Sequence, residues 1–242
     1  MAHFYLSDNL DGVREGDGVE LDAAESRHIV TVSRTRAGDP ILLGNGRGVT
    51  VRGTVVSADP AGVVVRAELV EETARNVQLV TLVQALAKGG RDELAVQAAT
   101  ELGVDAVIPW SAERSVARWD GTKATKGRDR WQSITREATK QSMRAWLPDV
   151  RPIASTADLI EPVTGARMLV LEPTAHTQLT SIRPDGRDIA LVVGPEGGVS
   201  PRELAAFAAA GAEPVRLGTS VLRTSTAGPA ALAIINLILG RW

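Results

Sequence analysis

Over the first seventy residues, short apolar runs alternate with turn-forming residues. Residues 4–6, 18–21, 40–43, 49–56 and 62–69 are β-prone, and Gly, Asp, Asn or Pro separates them. Runs of this length and spacing predict strands. One segment, 24–32, has helical spacing and interrupts them. The edges of such a sheet are best removed by closing it into a barrel. Gly44-Asn45-Gly46-Arg47-Gly48 lies between two strand-like runs and reads as a hairpin turn.

A polar stretch, Glu71-Glu72-Thr73-Ala74-Arg75-Asn76, marks a boundary. It predicts one domain over 1–72 and a second over 73–242. In the second, strands are expected over 77–84, 106–109, 168–171, 189–193 and 215–217. Helices are expected over 91–102, 128–145 and 201–210, with a last one running to about 239. Gly103 and Gly211 stand where two of these helices stop. Alternation of this kind implies a parallel sheet covered by helices on both faces, an α/β fold. The last helix is apolar on nearly every face (Leu232, Ile234, Ile235, Leu237, Ile238, Leu239) and needs cover all round. A second copy of the chain would supply it.

Two stretches concentrate the chemistry. In Ile189–Leu204 an aliphatic run ends at Gly194-Pro195-Glu196-Gly197-Gly198, and Ser200-Pro201-Arg202-Glu203 then has the form of a capping box. In 215–227 a run to Leu217 ends at Gly218, and Thr224-Ser225-Thr226 precedes an apolar helix. Loops at the carboxyl ends of strands are where open α/β sheets bind ligands, although tight strand-to-helix turns alone would also have this pattern. Neither loop has the spacing of a Walker phosphate loop or of a dinucleotide fingerprint.

Composition adds limits. Of 242 residues 44% are hydrophobic and 23% charged, which describes an ordinary globular protein. The longest apolar run falls short of the roughly 20 residues that span a bilayer. Residues 1–10 lack the basic flank and apolar core of a signal peptide, so a cytoplasmic location is expected. There is no cysteine, which removes disulfides, thiolate metal sites and a cysteine nucleophile together. His3, His28 and His176 have no metal-ligand spacing, so no metal is expected.

The net charge of −2 hides an uneven distribution. Residues 1–72 carry a net −5, whereas 114–144 carry +6. Arg114, Arg118, Lys123, Lys126, Arg128, Arg130 and Arg144 in that stretch are candidate phosphate contacts. Trp119 and Trp131 are interleaved with them and Trp146 follows, as bases to stack on or as core residues.

Gly194–Leu204 followed by Leu217–Ala227 resembles the signature of the SPOUT methyltransferases, most closely the RsmE type. Gln84–Lys88 with Glu93–Gln97, Ser111–Ser115, Glu137–Arg144 and His28–Asp39 resemble further segments of that family, so the likeness spans most of the chain. Three positions depart from the pattern: Ser225 replaces a common glutamate, Lys140 replaces an acid, and Gly228-Pro229 suggests a last helix that starts late.

The resemblance implies a trefoil-knotted SPOUT domain after a small PUA-like β-barrel that docks RNA. It implies methylation of N3 of a uridine in 16S ribosomal RNA of the small subunit, with S-adenosylmethionine as cofactor. Ribose 2′-O methylation by the same fold and a non-catalytic RNA-binding module are the alternatives. The cofactor would lie across Leu171-Glu172-Pro173, the loop of Gly194, Pro195, Gly197, Gly198 and Val199, and the loop of Leu217, Gly218, Val221, Leu222 and Thr224. Arg223 would stabilise the uracil anion, and Glu196 is read as structural. The implied partners are ribosomal RNA or the small subunit and a second copy of the chain, with no membrane. The missing cysteine fits this chemistry: methylation of a pyrimidine carbon normally needs a thiolate, whereas a ring nitrogen does not. With the first domain so acidic, RNA would meet only a local patch there, such as Arg27, Arg34, Arg36 and Arg47.

Overall fold

The structure, a computed structural model, describes residues 4–160 and 165–242. His3 lies outside them. The described chain forms two compact units: the residues up to Arg75 together with Thr139–Leu147, and Asn76–Ala138 together with Pro148–Trp242.

In the first unit, β1 (Phe4–Leu6), β2 (Gly18–Glu20), β3 (Pro40–Gly44), β4 (Val49–Asp59) and β5 (Gly62–Glu72) form one sheet. Its order is β1-β3-β4-β5-β2. The hairpin expected at 44–48 joins β3 to β4: Asn45 Oδ1 accepts from the amides of Arg47 and Val49, and Gly46 and Gly48 have φ of 66° and 104°. β4 and β5 carry two register shifts, and such bulges bend a sheet. Gly53 makes one of them possible, since a Cβ there would lie 2.2 Å from the Arg66 carbonyl oxygen. The curled sheet encloses a core that includes Leu10, Ile29, Leu43, Val51 and Val65. Helix α1 (Ala23–Thr31) closes one side, capped by Asp22, which accepts from the amides of Ala24 and Glu25.

The segment 139–147 belongs with this unit. Trp146 donates to the Thr73 carbonyl at 2.9 Å, lies under the Arg75 guanidinium and packs on Gly48. Lys140 pairs with Glu25 at 3.3 Å. A lysine where relatives of the resembled family have an acid therefore has a local partner.

The second unit is the expected α/β layer. Its strands are β6 (Val80–Ala85), β7 (Ala106–Trp110), β8 (Asp149–Val150), β9 (Arg167–Leu171), β10 (Ile189–Val193) and β11 (Glu213–Val215). They are parallel throughout, in the order β11-β9-β10-β6-β7-β8. The chain leaves β6 toward one edge through β7 and β8, crosses to β9, inserts β10 between β9 and β6, and ends at the other edge in β11. Helices α2 (Arg91–Glu101), α3 (Thr122–Gln141), α4 (Thr156–Ile160), α5 (Pro201–Ala209) and α6 (Thr224–Ile238) accompany it.

Two expectations change here. Helix α3 starts at Thr122 and ends at Gln141, six residues earlier at its start than the spacing suggested. Gly127 is part of it because Trp119 lies on that face, where a Cβ would come within 2.4 Å of the indole. Helix α6 does not start late: Arg223 is its N-cap, and Pro229 lies inside it. The proline only removes one amide from the ladder, and Gly228 lets the helix approach Leu82 and Val193.

Candidate active site

At the carboxyl ends of β9, β10 and β11 three loops converge on one cleft of about 340 Å³. Adjacent parallel strands that end at the same level bring the following residues together, although the first and last loops lie more than forty residues apart in sequence. Leu171, Glu172 and Pro173 line it from β9, and Gly194, Pro195, Gly198 and Val199 from β10. Leu217, Gly218, Val221, Leu222, Arg223 and Thr224 line it from beyond β11. Gly197 is not in the wall; it lies beside Arg114, whose guanidinium donates to its carbonyl at 3.1 Å.

The walls are held rigidly. Gln84, fully buried at the end of β6, donates from Nε2 to Thr224 Oγ1 at 2.8 Å. Because that hydroxyl receives a hydrogen bond, its own proton goes to the Gly194 carbonyl, also at 2.8 Å. The capping box is present: Ser200 Oγ accepts from the Glu203 amide, and Glu203 accepts from the Ser200 amide. The buried Glu203 also accepts from the Glu113 amide and from Thr156, which joins the Ser111–Ser115 segment to the β10 loop. Glu196 Oε1 accepts from the Lys88 amide at 3.0 Å and pairs with Arg91 at 3.4 Å. Its carboxylate is thus engaged in holding the loop.

The structure adds lining residues that the sequence did not single out: Arg91, Val193, Val215, Arg216, Ser220 and Ala227. Five of these border or fall within the recognised loops and could have been reached by extending them. Arg91 lies a hundred residues upstream, and no local pattern pointed to it.

An S-adenosylmethionine-sized ligand fits what is present. A Cβ at Gly198 or Gly218 would meet no protein atom within 4 Å, so backbone is open to the cleft at both positions. Val221 and Leu222 are exposed apolar side chains on the cleft wall, a surface that a ligand or partner can cover.

The basic stretch is less uniform than its composition. Arg118 donates to the carbonyls of Ala112 and Glu113, Arg128 to that of Val150, and Arg130 pairs with Glu93 at 3.0 Å. Lys123 and Lys126 are exposed near the start of α3, and Arg144 falls in the segment 139–147 of the first unit. The tryptophans are packing residues: Trp131 is 1% exposed and meets Trp119 edge-on at 5.2 Å. In the first unit Arg47 is paired with Asp11 and Asp8, whereas Arg27, Arg34 and Arg36 are exposed.

Comparison with known proteins gives a consistent result. A family described as an RNA methyltransferase domain matches residues 74–236, and an RNA methyltransferase PUA domain matches residues 21–68. The chain is 42% identical over 228 residues to ribosomal RNA small subunit methyltransferase E of Mycobacterium bovis, covering 92% of this chain and 87% of that protein. With the protein of the same name from Bacillus subtilis, identity is 31%, covering 98% and 96%. Among solved structures, the Neisseria gonorrhoeae ribosomal RNA small subunit methyltransferase E bound to S-adenosylmethionine superposes with a TM-score of 0.88 at 30% identity, covering 98% of each chain. A putative methyltransferase of Legionella pneumophila in complex with the same cofactor gives 0.86 at 29%.

Proposed function

The chain belongs to the family of the small-subunit ribosomal RNA methyltransferases E, a SPOUT domain following a PUA-like domain, and from that we propose that it methylates N3 of a uridine in 16S ribosomal RNA, with S-adenosylmethionine as methyl donor. The observation that carries the reading is the convergence of the three loops on a single cleft at the carboxyl ends of β9, β10 and β11.

Gly198 and Gly218 admit the donor against bare backbone, and Leu217, Val221 and Leu222 form apolar walls. When bound, the donor supplies a methyl group on a positively charged sulfur that departs as a neutral thioether. Uridine N3 carries a proton, which must leave as N3 takes the methyl group. Arg223 is exposed at the cleft, and among the described residues its guanidinium has no partner. A fixed cation beside the uracil carbonyls stabilises the anion electrostatically. Glu196 does not act as the base, because its carboxylate is committed to Lys88 and Arg91.

RNA is held through Lys123 and Lys126 and through Arg27, Arg34 and Arg36. The protein works in the cytoplasm as a homodimer. Leu94 on α2 and Leu237 on the adjacent α6 are 57% and 63% exposed, apolar side chains that a second copy would cover. Among the described residues no helix is long and apolar enough to cross a membrane.

The test is nucleoside mass spectrometry of 16S RNA after incubation with purified protein and labelled donor. Labelled 3-methyluridine is expected. Label on a ribose oxygen instead would replace this reading with 2′-O methylation, and no label with intact donor binding would leave only an RNA-binding role.

A further inference from the structure

Two parts of the resembled signature are not used by the donor cleft: Gly197, which stands outside its wall, and the segment 111–115. They meet each other. Arg114 donates to the Gly197 carbonyl at 3.1 Å, and a Cβ at Gly197 would come within 3.2 Å of the Arg114 Cβ. The missing side chain lets the arginine lie against the loop.

The strand order shows which surface this is. The cleft occupies the carboxyl ends of β11, β9 and β10, and the next strands along the sheet are β6 and β7. These end level with β10: Val193 is in register with Gln84, and Ala85 with Trp110. The loops after β6 and β7 therefore continue the same edge of the sheet as a rim, and the β10 loop is shared between rim and cleft. Lys88 and Arg91 follow β6, and Arg114 and Arg118 follow β7.

These cations differ in how far they are engaged. Arg91 pairs with Glu196, and Arg118 donates to two carbonyls of its own loop. The nearby Glu113 accepts from the Ser200 hydroxyl at 2.7 Å. Lys88 and Arg114 are exposed and keep donors to spare. Lys88 Nζ has no partner among the described residues, and Arg114 spends one Nη on Gly197. A guanidinium has five N–H donors in a fixed fork, so Arg114 can hold Gly197 and a phosphate at once. The two residues flank the tip of the β10 loop, the Lys88 amide donating to Glu196 and Arg114 to Gly197. With Glu196 offset by Arg91, Lys88 and Arg114 leave this tip positive beside the cleft.

We propose that this rim seats the acceptor RNA, Lys88 and Arg114 each holding a phosphate of the strand that carries the target uridine. The proposal rests on the chain methylating RNA from the donor cleft.

The experiment compares Lys88→Gln, Arg114→Gln and the double variant with Arg187→Gln, which removes a charge before the amino end of β10, away from the rim. Affinity for an unmodified 16S RNA transcript is measured across salt, S-adenosylmethionine affinity by calorimetry, methyl transfer by steady-state kinetics and folding by thermal melting. Each rim substitution should raise the KM for RNA about fivefold and lower the slope of log affinity against log salt by about 0.7, the share of one single-strand phosphate contact. The two losses should add in the double variant, and donor affinity should be unchanged. Arg187→Gln should leave every reading at the parent value. Unchanged KM and slope in the double variant would overturn the proposal. So would an equal effect of Arg187→Gln, or a loss of donor affinity with RNA binding intact, which would make the two side chains mere supports of the β10 loop. If the unaltered protein binds RNA but transfers no methyl group, it is the proposed function that fails, and the salt slopes still decide the rim.

Discussion

Single residues at the cleft separate structure from ligand contact. Gly198 and Gly218 are both open on the side where a Cβ would stand, but only Gly198 has a left-handed φ, 72°. Valine at 198 would strain the backbone as well as fill the cleft, which would blur the result. Gly218→Val is the clean probe: a thermal midpoint within a degree or two of the parent is expected, with affinity for S-adenosylmethionine reduced about tenfold or more. Full affinity in the folded variant would move the ligand away from the β11 loop. Glu196 shows the reverse case, a polar residue in a signature loop whose carboxylate holds the loop against Lys88 and Arg91.

At the level of elements, the edge of the second sheet is clamped at the end opposite the cleft. Arg167 in β9 makes two hydrogen bonds of 2.7 Å to Glu213 in β11. The guanidinium holds the Glu213 carboxyl below its usual value of 4.5. A carboxyl with a lowered folded pKa contributes stability above its unfolded value and loses it as pH falls through the folded one. Glu213→Gln should therefore reduce stability at pH 7, and the difference from the parent should close as pH falls below 4.5 and through the lowered folded value. Urea unfolding across pH 3 to 8 measures this. A gap independent of pH would show that shape rather than charge joins the two strands. The pair is partly solvent-exposed, so the effect should be modest.

For the whole molecule, helix α6 is where the pattern and the packing diverge. Its sequence is apolar all round, which suggested burial everywhere by a second copy. Instead Leu232 and Ile235 are each 1% exposed within the chain's own core, and Asn236 is buried and donates to the Leu102 carbonyl at 2.7 Å. Leu237 remains open. Ile235→Asp should unfold the chain, because it places an unpaired charge in a packed core. Leu237→Asp should leave the fold intact and shift the protein to monomer in sedimentation, with methyl transfer falling alongside. A fully dimeric Leu237→Asp protein would place the interface elsewhere.

Much of this was legible in local pattern. The five short strands of the first unit, the capping box of α5, the Asn-Gly hairpin and both signature loops follow from turn chemistry and hydrophobic period, which act over a few residues. β8, α4 and the single turn Leu179–Ser181 were too short to have a period. The sequence also placed Trp131 and the arginines in one charged stretch, but could not say that the ring is core or that Arg118 and Arg128 are occupied by carbonyls. Those outcomes depend on which strand ends next to which. The same holds for Arg91 entering the cleft and for the segment 139–147 joining the first unit. Local propensity determines elements, whereas partners are decided by packing across the chain, where burial and hydrogen bonding are settled together.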